Sequence, residues 1–192
     1  EGMLFVHDAE GEYTYVMREM AFGDLDNDGF MDVVATVSTN EVCVLWNNAG
    51  IEFNDSGRRY LAGSSASALA VGYVDADGYL DVVAANRNDD TISVLINQAD
   101  GTFATRVDYP TADASIPGSG DSPYHVAVGH FNDDSYPDIV TANDGSDDLS
   151  VLLGNPGGTF SDAVVYPVGY GPQYVAIADV DDDGHADLPE PP

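Results

Sequence analysis

Lysine is absent from all 192 residues, and five arginines form the whole basic complement against 34 aspartates and glutamates. The formal charge of −29 repels phosphate backbones and anionic lipid at moderate salt, which argues against nucleic acid as a partner. Cys43 is the single cysteine, so no internal disulfide can form. The slots aligned with it hold Ser93 and Ser150, which marks it as a small strand residue rather than a nucleophile. No apolar run is long enough to cross a bilayer, and membrane insertion is not expected. The sequence opens at Glu1 without a secretory signal pattern, consistent with a mature or trimmed product. Neither Gly-x-Ser-x-Gly nor His-Glu-x-x-His occurs, and no catalytic residue is assigned: the chain is not expected to be an enzyme.

What the sequence does have is a loop used four times. In Asp24-Leu25-Asp26-Asn27-Asp28-Gly29-Phe30-Met31-Asp32, carboxylates fall at positions 1, 3, 5 and 9 with glycine at 6. Such a concentration of oxygens repels itself unless a cation sits among them. Ca²⁺, which takes six to eight hard oxygen ligands in a flexible shell, is the cation that fits. Asp24, Asp26, Asp28 and Asp32 supply side chains, and Phe30 at position 7 supplies its carbonyl. The frame returns with Asp75, Asp77, Tyr79 and Asp81, then with Asn132, Asp134, Tyr136 and Asp138, and finally with Asp179, Asp181, Asp183, His185 and Asp187. The first and last copies keep every oxygen. Tyr73 takes position 1 of the second, and His130 and Ser135 take positions 1 and 6 of the third, where weaker binding is expected. A left-handed backbone at Ser135 would also carry strain of about 1 kcal/mol.

Spacings of 49, 57 and 49 residues between the closing aspartates (Asp32, Asp81, Asp138, Asp187) define a repeat. Before each loop stands a strand with one large and one tiny face: Met20–Gly23, Leu69–Gly72, Val126–Gly129 and Val175–Ala178. Faces restricted to alanine and glycine suit strands crowded about an axis, so these are expected to be innermost. Second and third strands follow (Val82–Ala85 and Ile92–Asn97 in the second unit). A fourth is expected to open at Phe53, Phe103 or Phe160 and to close near Tyr60, Tyr109 or Tyr166. The expected fold is therefore all-β: a β-propeller of four-stranded antiparallel blades, about four blades' worth of chain. Residues 1–192 read as one domain, with an outer half-blade at 1–19, blades at 20–67, 68–123 and 124–173, and an inner half-blade with a proline-rich end at 174–192. The flanks lack helical periodicity and position 12 falls on Ala35, Ala84, Thr141 and Glu190, which sets aside a helix-flanked calcium hand.

From Phe22 to Val34 and in its three partners the sequence resembles the FG-GAP or VCBS repeats, related to those of the integrin α-chain head. The resemblance implies a propeller, most often seven-bladed, with Ca²⁺ in the loop between the two inner strands of a blade. It further implies secreted proteins of adhesion, matrix or carbohydrate association. Three arrangements stay open for the half-blades: closure within one chain, head-to-tail pairing between chains, or a piece of a larger ring. The expected function is a secreted, calcium-rigidified, non-catalytic module at the cell surface or outside it. Its ligand would be an extracellular protein or a glycan, with a homo-oligomer or filament subunit and a carbohydrate-binding domain as alternatives. A ligand face would lie opposite the calcium loops, built from Asn86, Arg87, Asn88, Tyr170, Tyr174 and the long link Thr111–Ser122.

Overall fold

The computed structural model describes residues 17–37, 40–48, 52–53, 57–75, 77–113 and 115–178. The half-blade expected at 1–19, all but its last three residues, and the fourth loop, Asp179 to Asp187, lie outside the described residues.

Valine, isoleucine and alanine runs bounded by Asp-Gly and Asn-Asp turns give strands throughout. The first blade contains β1 (Met17–Gly23), β2 (Asp32–Val37), β3 (Glu41–Leu45), the short pair β4 (Asn47–Asn48) and β5 (Glu52–Phe53), and β6 (Arg58–Leu61). The second has β7 (Ala66–Gly72), β8 (Asp81–Asn86), β9 (Thr91–Leu95) and β10 (Val107–Pro110). The third has β11 (Pro123–Gly129), β12 (Asp138–Asn143), β13 (Asp148–Leu152), the pair β14 (Gly154–Asn155) and β15 (Thr159–Phe160), and β16 (Val164–Pro167). Each blade is a four-stranded antiparallel sheet, in the orders β1-β2-β3-β6, β7-β8-β9-β10 and β11-β12-β13-β16. The fold is an all-β propeller array of three such sheets among the described residues.

The second strand of each blade is buried from end to end. Covering on both faces accounts for the near-continuous apolar runs Val33-Val34-Ala35, Val82-Val83-Ala84 and Ile139-Val140. Between blades the small face of one inner strand receives the large face of the next; the strand expected at Val175–Ala178 does not form, and Ile177 reaches Gly129 from a segment without strand pairing. A Cβ built on Gly23 would stand 2.5 Å from Leu80 Cδ1 and 3.6 Å from Val71 Cγ2. One on Gly72 would meet Val128 Cγ1 at 2.9 Å, and one on Gly129 would meet Ile177 Cδ1 at 2.9 Å. At under 3.0 Å a side chain on the far side of the junction would have to move, so glycine at these positions lets the neighbouring segments pack closely.

The aromatic positions depart from expectation. The segments holding Phe53, Phe103 and Phe160 do not open the outermost strands. They fold back as short ladders on the exits of the third strands, at β4–β5, at the Asn97–Phe103 bridge and at β14–β15. The outermost strands begin several residues later. Apolar burial explains this detour: Phe103 packs edge-to-face on Tyr60 of the preceding blade at 5.1 Å between ring centres, and Phe160 does the same on Tyr109 at 5.4 Å. Pairs of this geometry add about 0.5–1.5 kcal/mol beyond area burial.

Gly72→Val is expected to destabilise the protein by about 1–3 kcal/mol through overpacking against Val128. The control Gly169→Ala, which meets nothing within 4 Å, should stay within about 0.5 kcal/mol. Urea unfolding midpoints at constant slope check both values.

Candidate metal centre

Gly23 pairs with Asp32, Gly72 with Asp81 and Gly129 with Asp138, so each loop is a closed excursion between the two inner strands of its blade. Within it, asparagine and aspartate side chains fold onto the backbone two residues ahead. Asp26 Oδ1 accepts the Asp28 N–H at 3.2 Å, and Asp28 Oδ1 accepts the Phe30 N–H at 2.8 Å. The second loop repeats this with Asp75 accepting from Asp77 and Asp77 from Tyr79, at 3.1 and 2.8 Å. The third does so with Asn132 accepting from Asp134 and Asp134 from Tyr136, at 2.9 and 2.8 Å. Among the described residues, no hydrogen bond from a backbone donor reaches the second oxygen of the carboxylates at positions 3 and 5.

Position 1 separates the loops. Asp24 accepts N–H groups from Asp28 at 3.0 Å and Gly29 at 2.9 Å, drawing its carboxylate over the turn. Oxygens of Asp24, Asp26 and Asp28 then lie within 4.8 Å of one another. Burial pushes the Asp26 carboxyl up, and the charges of Asp28 and Asp24 add to that rise. Three hard anionic donors converging at that separation fit Ca²⁺ and offer no soft ligand for another metal. Tyr73 and His130 bring no carboxylate to the corresponding place, and among the described residues only the first loop gathers three acidic groups.

The turn also differs between loops. Gly29 and Gly78 both hold φ at +92°, and Asn27 sits at +58°. Ser135 does not adopt a left-handed backbone, so the condition for strain there is not met: the third loop turns without a left-handed residue.

Asp32, Asp81 and Asp138 stand apart from the exposed group. All three are fully buried, and each spends its two oxygens on backbone donors of different elements. Asp32 accepts from Leu25 at 2.9 Å and Asn47 at 2.7 Å. Asp81 accepts from Val74 at 2.7 Å and Asn97 at 2.8 Å, and Asp138 from Phe131 and Gly154, both at 2.8 Å. Each therefore ties the start of its loop to the exit of the third strand. Burial drives the Asp81 carboxyl up to about 6 against the opposing pull of its two N–H donors. Of the ligand residues read from the sequence, Asp24, Asp26 and Asp28 are thus brought together, while the position-9 aspartates sit beneath as staples. The carbonyls of Phe30, Tyr79 and Tyr136 belong to residues whose N–H groups hold the position-5 side chains. His185 lies outside the described residues with the rest of its loop.

The roles of Asn97 and Asn143 were missed by reading the sequence, and Asn86, expected on the ligand face, is instead fully buried. Asn97, 1% exposed, donates to Leu80 O at 3.1 Å and to Leu25 O of the preceding blade's loop at 2.8 Å, locking neighbouring loops together. At the other end of the blades, Asn86 donates to Ser93 at 2.9 Å and Asn143 to Ser150 at 2.7 Å. These pairs hold the links between blades: Gly63 N–H donates to both Asn86 and Ser93, and Ser150 donates to Thr111 O at 2.6 Å. The signal was available, since both pairs are Asn and Ser seven residues apart in aligned positions. In the first blade Val37 and Cys43 occupy those places within a small apolar cluster, where burial pushes the thiol pKa up and keeps the cysteine inert.

Asp81→Ala is expected to cost about 2 kcal/mol or more even in chelator, because two buried N–H groups lose their acceptor. Asp26→Ala, at an exposed position, should change chelator stability by about 0.5 kcal/mol or less and remove the first loop's share, about half, of the calcium-dependent gain. Denaturant titrations of both variants with and without calcium separate the staple from the ligand.

Comparison with known structures places this geometry. BBS1N, in its complex with ARL6DN, superposes with a TM-score of 0.58 at 14% identity, over 89% of this chain and 49% of that one. The Tc holotoxin pore of Photorhabdus luminescens superposes with a TM-score of 0.51 at 17% identity, over 97% of this chain and 10% of that one. Identities this low speak to the fold alone, and this chain spans about half the length of the first neighbour and a tenth of the second. No curated protein matches the sequence. The model of the FG-GAP-like repeat matches residues 24–84, 73–141 and 130–188. Those overlapping matches take in most of the sequence, and the chain belongs to the FG-GAP-like repeat family.

Proposed function

We propose that the chain is a calcium-stabilised propeller module that acts by binding rather than by catalysis, outside the cytoplasm. The observation that carries this is the first loop, where Asp24, Asp26 and Asp28 converge above a buried Asp32. A bound Ca²⁺ would supply positive charge that offsets the mutual repulsion of those carboxylates. The residues do the remaining work. The ladder of side chain to backbone hydrogen bonds presets the loop, Asp32 fixes it to its own blade, and Asn97 fixes it to the next. Neutralising the loop therefore stiffens the junction between two blades, and the ligand face is held in register.

The second loop, with Asp75, Asp77 and Asp81, and the third, with Asn132, Asp134 and Asp138, are proposed as weaker sites because each lacks a carboxylate at position 1. The fourth, with Asp179, Asp181, Asp183 and Asp187, is proposed as a full site on its donor set alone. Sites of modest affinity fill where calcium is near millimolar, which supports a place outside the cell or at its surface. Among the described residues no helix is long and apolar enough to cross a membrane.

One surface favours a second reading, assembly from like copies. Phe22 is 57% exposed, although the aligned Val71 and Val128 fill the glycine slots of their neighbours. Ala178, exposed and aligned with Gly129, offers a small slot at the other end. A second copy seating its Ala178 end on the Phe22 face would form a heterologous, head-to-tail contact.

Saturating two full sites at 100 times their dissociation constant adds about 5 kcal/mol of stability. The expected outcome is a melting temperature about 10 °C or more higher in calcium than in chelator, by calorimetry. An unchanged melt after thorough calcium removal contradicts the reading. For assembly, light scattering on the separated species should give multiples of the monomer mass that Phe22→Glu reduces to one. A wild-type protein that stays monomeric at high micromolar concentration removes the second reading.

A further inference from the structure

The inner strands run the same way about the axis, so their N-terminal ends gather at the face opposite the calcium loops. A cavity of about 370 Å³ opens there, lined by Arg18 and Glu19 of β1, Ser67 of β7, Tyr124 of β11 and Arg87 just past β8. Three successive blades thus contribute to one depression. Its lining holds two of the five arginines of a chain that carries a formal charge of −29.

The two arginines differ in state. Arg87 lies 2.8 Å from Asp144 Oδ2 and 5.0 Å over the Tyr124 ring, so its charge is compensated and its plane is fixed. Arg18 is exposed and makes no hydrogen bond or ion pair among the described residues. Glu19, beside it, is turned toward His125, with Nε2 at 3.5 Å from Glu19 Oε1. His125 in turn lies against the Tyr174 ring at 4.1 Å between centres. The carboxylate nearest to Arg18 in sequence is therefore held elsewhere, and one guanidinium is left open at the cavity.

The rest of the lining selects among anions. It contains no aliphatic side chain, so it does not suit the apolar side chains of a peptide. It does contain hydroxyl partners. Ser67 donates to Pro123 O at 2.9 Å and keeps its lone pairs, Tyr124 has a hydroxyl without a hydrogen bond among the described residues, and Glu19 retains acceptor capacity. A volume of this size lies at the small end of ligand pockets and admits one or two sugar rings. The remote acidic residues do not forbid an anion here, because charges beyond about 8 Å are largely screened at physiological ionic strength. A guanidinium in contact, by contrast, pairs with a carboxylate through two parallel hydrogen bonds.

We propose that this cavity binds a carboxylate-bearing sugar, with its carboxylate on Arg18 and its hydroxyls on Glu19, Ser67 and Tyr124. The proposal deepens the reading of the chain as a binding module and rests on it. It names the mouth of the axis as the binding surface and acidic saccharides as the ligand class. Arg87 acts as a positioning residue that holds Tyr124 in place.

The test is titration of the full chain, labelled with ¹⁵N, in 150 mM NaCl and matched free calcium, with sodium glucuronate, glucose and sodium acetate as separate probes. Glucuronate is expected to bind saturably and at least about tenfold more tightly than glucose or acetate, since a charged hydrogen-bonded group adds about 1.5–3 kcal/mol. The largest shifts should fall at Arg18, Ser67 and Tyr124. Arg18→Gln should reduce glucuronate binding to the level of glucose without moving the melting temperature. Equal binding of glucuronate and glucose, binding no stronger than that of acetate, or an undiminished affinity in Arg18→Gln would each overturn the proposal. A calcium-dependent melt in the same samples keeps the two readings apart. Loss of the sugar preference with the calcium response intact defeats this site alone, and loss of the calcium response defeats the module reading.

Discussion

A buried carboxylate with both oxygens committed to backbone N–H groups is the contact on which the rest of this structure depends. Asp32, Asp81 and Asp138 each join the second residue of a loop to the exit of a third strand. Without that bridge the loop would be a loose arc between two strands, and carboxylates at positions 1, 3 and 5 would separate to relieve their repulsion. With it, the arc is short and pinned at its base, so the side chains above it are forced to share one volume. The convergence of the first loop's acidic oxygens thus rests on a residue that lies underneath it.

The same arrangement sets the relation between blades. Asn47 and Asn97 supply N–H groups that the buried aspartates capture, and the Asn97 side chain reaches back to Leu25 in the preceding loop. On the axis, glycines admit the valine of the next inner strand or, past the third blade, Ile177. At the periphery, a tyrosine of one blade meets the phenylalanine of the next. Two contacts of different chemistry therefore recur at both junctions between the described blades, small against large and aromatic edge against face, and the first junction adds amide against carbonyl through Asn97. Their recurrence gives the array its regularity and leaves Phe22 and Ala178 as the unmatched pair at its described limits.

Much of this was legible in the sequence, because the loop frame forces residue types that turns alone do not require. Aspartate at alternate positions with glycine between them has few explanations, and four copies at near-equal spacing have fewer. The alternation of large and tiny residues before each loop likewise revealed the crowded axis. The phenylalanines were harder to read. Phe103 and Phe160 look like the first residues of outer strands, and only the position of Tyr60 and Tyr109 on a neighbouring blade shows why the chain folds back first. Ser135 could not be read for a related reason: its alignment with glycine does not tell whether the backbone is left-handed there, and the third loop makes its turn without such a residue. The position-9 aspartates were assigned as ligands on spacing, and their staple role depends on partners about 15 residues away that no local pattern reveals.

The central claim is that the first loop is a calcium site built from convergent carboxylates on a buried support. A crystal structure grown in millimolar calcium, with anomalous difference density calculated for the loops, tests it directly. The account predicts a peak among Asp24, Asp26 and Asp28 with oxygens at about 2.3–2.6 Å. A loop that stays ordered and empty, or whose three carboxylates point apart under those conditions, would contradict it.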